Sequence, residues 1–173
     1  MKKHSGMRPQ DIVILIMIIS IKKENWRNID IANGLNISAS EISEALNRCM
    51  IAKLIDSSKR KVNINSLIEF IIYGLKYVFP SEPGAVVRGI ATAHSAYPIN
   101  ERIADSDDNY VWPYAKGNLR GQAIEPLYRT IPAIVSNYKL FYELLVIIDT
   151  IRIGRARERN IAIEELKNRL TNV

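Results

Sequence analysis

Ser40, Ser43 and Asn47 recur at helical spacing with Ala39, Glu44 and Arg48 beside them, and three adjacent cations follow, Lys59, Arg60 and Lys61. Hydroxyl and amide groups on one helical face can exchange hydrogen bonds with base edges. The methyl group of Ala39 can meet a thymine methyl, Arg48 can reach guanine or phosphate, and Glu44 can accept from a cytosine amino group. Clustered ammonium and guanidinium groups neutralise phosphates and release counterions. Arg27, at the entrance of an earlier segment, is a further candidate for phosphate contact. Base contacts specify and phosphate contacts position, so the two sets would divide the work.

Other chemistry is poorly provided for. Two histidines, His4 and His94, and one cysteine, Cys49, cannot assemble a zinc site, so no metal and no cofactor are expected. Thr92-Ala93-His94-Ser95 sets a serine beside a histidine, but adjacency along a chain does not aim a base at a nucleophile, and catalysis is not expected. One cysteine allows no internal disulfide, which suits the reducing cytoplasm. It also falls on an apolar helical stripe, where a thiol is inert.

The net charge of the 173 residues is +6, unevenly spread: residues 1–66 hold eleven Lys and Arg against six Asp and Glu, residues 67–173 thirteen against twelve. The excess lies where the candidate phosphate contacts lie. A composition 47% hydrophobic and 24% charged supports a packed core and argues against disorder. The apolar run from Ile12 to Ile19 is far shorter than the ~20 residues of a membrane span and reads as a core helix. No membrane partner and no cleaved leader are expected, although Lys2 and Lys3 precede the run.

A definite succession of elements must position these groups. Arg8-Pro9-Gln10-Asp11 starts a helix over 9–22, with proline in the first turn and Asp11 set against the helix dipole. Residues 28–35 predict a short helix burying Ile31, Ala32 and Leu35 and exposing Asp30 and Asn33. Asn36 suits a sharp turn, since asparagine tolerates the left-handed region. Ser38-Ala39-Ser40-Glu41 is a capping box, each end satisfying a backbone donor near the other. Behind it Ile42, Leu46 and Cys49 face inward, leaving Ala39, Ser40, Ser43, Glu44, Asn47 and Arg48 outward. Leu54-Ile55-Asp56 and Lys61-Val62-Asn63 flank a basic tip as a small hairpin, a wing.

A helix over 67–78 follows, and Pro80-Ser81-Glu82-Pro83-Gly84 marks a boundary between a domain at 1–80 and a C-terminal region at 81–173. Residues 85–109 read mostly as loop, with a short helix around 99–104 and an acidic stretch at 105–108. Strands at 110–114 and 119–127 are joined as a hairpin, 138–151 is a buried helix, and 156–170 is amphipathic with Ile161, Leu166 and Leu170 inward. Glu165 and Arg169 pair one turn apart. Arg152, Arg155 and Arg159 pair with Glu158 and neighbouring carboxylates rather than forming an anion site. Trp26 and Trp112 are packing residues.

The expected fold is mostly α with small β elements: an N-terminal winged helix-turn-helix, then a C-terminal helical region with a β-hairpin. Asp30-Ile31-Ala32, Leu35-Asn36-Ile37-Ser38, Glu41-Ile42-Ser43, Ala45-Leu46 and Leu54-Ile55 resemble the winged helix-turn-helix of MarR-like bacterial regulators, over roughly the first 40% of the chain. That pattern has a basic residue where Glu44 stands and a glycine before the wing where Lys53 stands. The resemblance implies a second helix laid in the major groove. Together these readings lead to a cytoplasmic, sequence-specific regulator of transcription, a repressor that binds double-stranded DNA as a homodimer through the helices at 67–78 and 138–151. The alternative is an antitoxin-like or adaptor protein whose winged helix or C-terminal half grips a protein partner.

Overall fold

Helix α1 (Pro9–Ser20) is buried without interruption from Asp11 to Ile19. A helix apolar all round must have neighbours all round. It packs against α2 (Asn28–Leu35), α3 (Ala39–Ile51) and, from far along the chain, α7 (Lys139–Ile153). The computed structural model describes residues 6–103 and 108–171. Lys2, Lys3, His4, the end of the helix anticipated at 99–104 and the acidic stretch up to Asp107 lie outside the described residues. The buried apolar side chains from Ile12 to Leu170 form one continuous core in an α+β architecture of helices and a three-strand sheet.

An ion pair sits inside the front of this core. Asp11 is fully buried and Arg48 is 5% exposed. Arg48 Nη2 donates to Asp11 Oδ1 at 2.7 Å and Nε donates to Oδ2 at 2.9 Å. This two-pronged match of guanidinium to carboxylate is the geometry that makes such pairs strong. Asp11 also accepts from the Arg8 amide at 2.9 Å, so one carboxylate caps α1 and ties it to α3.

The turn between α2 and α3 follows the sequence closely. Asn36 lies in the left-handed region at φ 53, ψ 47. Ser38 Oγ accepts from the Glu41 amide at 3.2 Å, but the capping box is only half made. The Glu41 carboxylate turns instead to Arg48 at 3.0 Å and Arg8 at 3.3 Å, charged donors that outbid a backbone amide, and also accepts from the Gln10 side-chain amide. After α3 the chain reverses at Lys53, whose φ of 63 is the left-handed conformation that a glycine adopts without penalty. The anticipated hairpin shrinks to a single antiparallel bridge, Ile55 to Val62, around a loop organised by Asp56.

Helix α4 (Ile64–Glu69) continues through a π-helical stretch, Phe70–Gly74, into α5 (Leu75–Val78). The next segment departs from expectation. Where a loop was predicted, β1 (Val86–Ala91) forms a strand antiparallel both to β2 (Tyr110–Pro113) and to β3 (Leu119–Ala123). Consequently β2 and β3 are not a hairpin. They run parallel, Tyr110 beside Gln122, and close the three strands into a miniature barrel. Closure this tight depends on missing side chains. A Cβ on Gly117 would lie 2.0 Å from the Gly89 carbonyl oxygen, and one on Gly89 2.1 Å from that of Trp112.

After a short α6 (Ile131–Ile134), helix α7 carries the barrel. Its buried Asp149 accepts from Trp112 Nε1 at 2.6 Å and from Thr92 Oγ1 at 3.0 Å, and pairs with Arg152 at 3.0 Å. Helix α8 (Ala156–Thr171) packs on α7, with Ala162, Leu166 and Leu170 buried, Ile161 half-buried and the Glu165–Arg169 pair formed at 3.5 Å.

Removing one member of a buried ion pair leaves the other charged and unpartnered. Arg48→Ala is therefore expected to cost roughly 3–5 kcal/mol in urea denaturation, whereas Asp11→Leu combined with Arg48→Met recovers most of the loss.

Candidate nucleic-acid interface

Four of the residues singled out on α3, Ala39, Ser40, Ser43 and Glu44, are exposed, and Asn47 is half-buried. Positions 39/40, 43/44 and 47 fall one turn apart and make a continuous outward strip. Arg48 is not part of it. Asp11, invisible to any local reading because it lies 37 positions away, draws the guanidinium into the core and raises its basicity chiefly through their hydrogen bonds. Burial opposes that shift and Glu41 reinforces it. Arg48 is a positioning residue that fixes which face of α3 turns outward.

The basic loop meets the end of this strip. Lys59 Nζ donates to Asn47 Oδ1, bringing the loop against the last turn of the exposed face. Arg60 Nη1 donates to the Trp26 carbonyl at 2.7 Å, and its guanidinium lies 5.0 Å from the centroid of the Trp26 ring. Trp26 adjoins Arg27, the N-cap of α2, whose side chain is 74% exposed and 3.7 Å from Asp30. Two contacts thus join three separate stretches of sequence: Asn47 to Lys59, and Arg60 to the entrance of α2. Lys61 is exposed beside them.

The loop owes its shape to Asp56. Its carboxylate accepts from the amides of Arg60 at 2.8 Å and Lys61 at 3.0 Å and from the Ser58 hydroxyl. Lys59 completes the turn at φ 58. These bonds, Ser58 first, then the amides of Lys61 and Arg60, hold the Asp56 carboxyl at about 2, below its ordinary 3.8.

Sequence reasoning missed Arg8, which is half-exposed at the first turn of α3 through its pair with Glu41. Its position just before a proline-led helix start was the available signal. Glu44 adds a carboxylate to the strip, 65% exposed and 4.0 Å from Arg48.

Elsewhere the candidate chemistry dissolves into structure. His94 Nε2 meets the Asp108 carbonyl at 2.7 Å, whereas Ser95 Oγ accepts from the Tyr110 amide at 2.8 Å, so the two side chains do not form a couple. Cys49 is buried, and that burial, with Asp11 nearby, pushes its thiol up to about 12. Arg152 and Arg159 turn inward rather than to Glu158. Arg152 donates to Asp149 and to the carbonyls of Phe79 and Glu125, and Arg159 to the carbonyl of Ile72. Glu158 accepts from the Arg155 amide at 3.0 Å. Among the described residues no group of histidine, cysteine and acidic side chains is placed to hold a metal ion. No helix there is long and apolar enough to cross a membrane.

A carboxyl group held low in the folded loop stabilises it above the unfolded value and ceases to do so as it is protonated. The Arg60 and Lys61 amides should therefore exchange more slowly than free-peptide amides near neutrality, and that protection relative to the free-peptide rate should disappear as the pH falls from about 4 toward 2. Asp56→Ala should abolish that protection already at neutral pH. Compared with protein-family models, curated proteins and solved structures, the chain matches none of them.

Proposed function

We propose that the chain binds double-stranded DNA, using α3 and the basic loop as the recognition helix and wing of a winged helix-turn-helix, and that it acts as a homodimeric repressor of transcription. The observation that carries this reading is the Lys59–Asn47 contact. It sets a cationic loop against one end of a strip of small polar side chains, all on the outward side of a helix whose inner side is fixed by a buried ion pair. Ser40, Ser43 and Asn47 suit base edges, Ala39 a thymine methyl, and Glu44 a cytosine amino group. Arg27, Lys59, Arg60 and Lys61 suit phosphates.

One such unit offers few contacts, and two-fold pairing doubles them. Helix α7, one of two dimer surfaces anticipated, is buried along almost its whole length and has no face to give. The α4–α5 helix does. Tyr73, Tyr77 and Val78 are 70%, 74% and 50% exposed. An antiparallel pairing about a two-fold axis near Tyr73 would bring Glu69 of each copy to Lys76 of the other, so the charges on this face are complementary to themselves.

Retention on random-sequence duplex should fall steeply with salt, and Lys59→Ala, Arg60→Ala and Lys61→Ala together should flatten the slope by up to about 3, near 0.9 per phosphate contact. Selection from a random duplex pool should return a two-fold symmetric motif. Absence of any salt-dependent retention would remove the DNA reading in favour of an adaptor. Independently, Tyr73→Glu with Tyr77→Glu should convert a sedimenting dimer to monomer, and a wild-type protein that sediments as a monomer would refute the pairing.

A further inference from the structure

The strands of the barrel carry a like-charge pair. In the β1–β3 ladder Arg88 stands directly opposite Arg120, and both residues are exposed. Side chains facing each other across an antiparallel pair have Cβ atoms roughly 5 Å apart, and like charges set there are destabilising. Lys116 joins them from the turn between β2 and β3. The Tyr114 amide donates to the Arg88 carbonyl at 3.1 Å, the Gly117 amide donates to the Tyr114 carbonyl at 2.9 Å, and Gly117 is seated on the Gly89 carbonyl.

The barrel has no acid to offset this charge. Residues 86–91 and 110–123 contain Arg88, Lys116 and Arg120 and neither aspartate nor glutamate, although residues 67–173 as a whole are close to neutral. The acids of this region are engaged elsewhere: Arg102 pairs with Glu164 and Glu165, Arg152 with Asp149, and Arg169 with Glu143 and Glu165. By contrast, among the described residues the charged groups of Arg88, Lys116 and Arg120 have no hydrogen-bond or ion-pair partner. The close approach at Gly89 and Gly117 leaves the strands no room to separate, so the positions bearing the three cations stay together.

We propose that this face of the barrel grips the phosphate backbone of double-stranded DNA, a contact separate from α3 and its loop. A planar guanidinium takes phosphate oxygens two at a time, and a phosphate between Arg88 and Arg120 turns their repulsion into a clamp. The net charge of +6 favours a polyanion over an isolated acidic side chain. The duplex is the polyanion that the barrel suits. Single strands are held by stacking bases on open aromatic rings. The strands offer none: Trp112 is 1% exposed, and Tyr110 is half-buried with its ring 4.4 Å from that of His94. A duplex keeps its bases inside and shows its phosphates outward, one charge per about 1.7 Å of axis. Such a contact responds to charge and carries no sequence information. It stands on the barrel alone and does not depend on the reading of α3.

The test uses the full chain and random-sequence duplex. Retention should survive Lys59→Ala, Arg60→Ala and Lys61→Ala together, and adding Arg88→Gln and Arg120→Gln should flatten the remaining salt slope by up to about 2, near 0.9 per phosphate contact. Arg88→Glu sets a carboxylate opposite Arg120, so it should weaken retention several-fold while raising the thermal midpoint. An arginine with a merely structural role would not move the two readouts in opposite directions. A salt slope unchanged by the two glutamine substitutions, or retention unchanged in Arg88→Glu, overturns the proposal. Tighter retention of single strands of the same length, lost in the same variants, overturns it in favour of unpaired nucleic acid. Tighter binding of polyglutamate, lost likewise, overturns it in favour of an acidic protein. A slope that responds to the arginines and not to the loop refutes the α3 reading and leaves the barrel contact, and a slope that responds to the loop alone does the reverse.

Discussion

The arrangement of the front of the molecule depends on one buried contact, the fork of Arg48 on Asp11. Without it α1 and α3 would still be drawn together by apolar burial, which is non-directional and would tolerate some rotation of α3 about its own axis. The ion pair removes that freedom. Breaking such a pair is expensive because a charge remains in the interior, so α3 is held in one rotational setting. Glu41 extends the network to the surface, reaching Arg8 and Gln10 at the beginning of α1. The polar strip on the opposite side of α3 inherits its orientation from this arrangement.

The other half of the chain repeats the device with Asp149. Its carboxylate gathers an indole from β2, a hydroxyl from the residue after β1 and a guanidinium from the next turn of α7. Burial pushes the Asp149 carboxyl up, and its three partners oppose that shift. Arg152 carries the connection outward to the carbonyls of Phe79 and Glu125, tying down the chain before β1 and after β3. A three-strand barrel is too small to bury much of itself, so its stability comes from this docking and from Trp112, which is 1% exposed.

What could be read from sequence was what local periodicity encodes. The apolar stripe of α3, the left-handed turn at Asn36, the buried α7 and the Glu165–Arg169 pair all depend on neighbours within a few residues. The misreadings share the opposite property. Arg48 adjoins Cys49 at the border between the inner and outer faces of α3, and only a partner 37 positions earlier decides which way it turns. Strand β1, with Arg88 and Gly89 interrupting its apolar residues, shows little alternation, and its two partners lie 20 to 36 positions away. For the same reason β2 and β3 resembled a hairpin, since nothing local announces that an earlier strand pairs antiparallel with both and leaves them parallel to each other. The candidate site was correspondingly half legible. Its exposed residues were visible one by one, but the contacts that assemble them, Lys59 with Asn47 and Arg60 with Trp26, join separate stretches of chain.

Helix α1 belongs to the front and the back of the chain at once. It is covered on one side by α2 and α3 and on another by α7, so residues from both ends of the chain bury it. A recombination event that grafted the front segment onto a different back would leave a row of isoleucines facing water. A substitution in either the front or the back of this chain must therefore fit a core that both of them line.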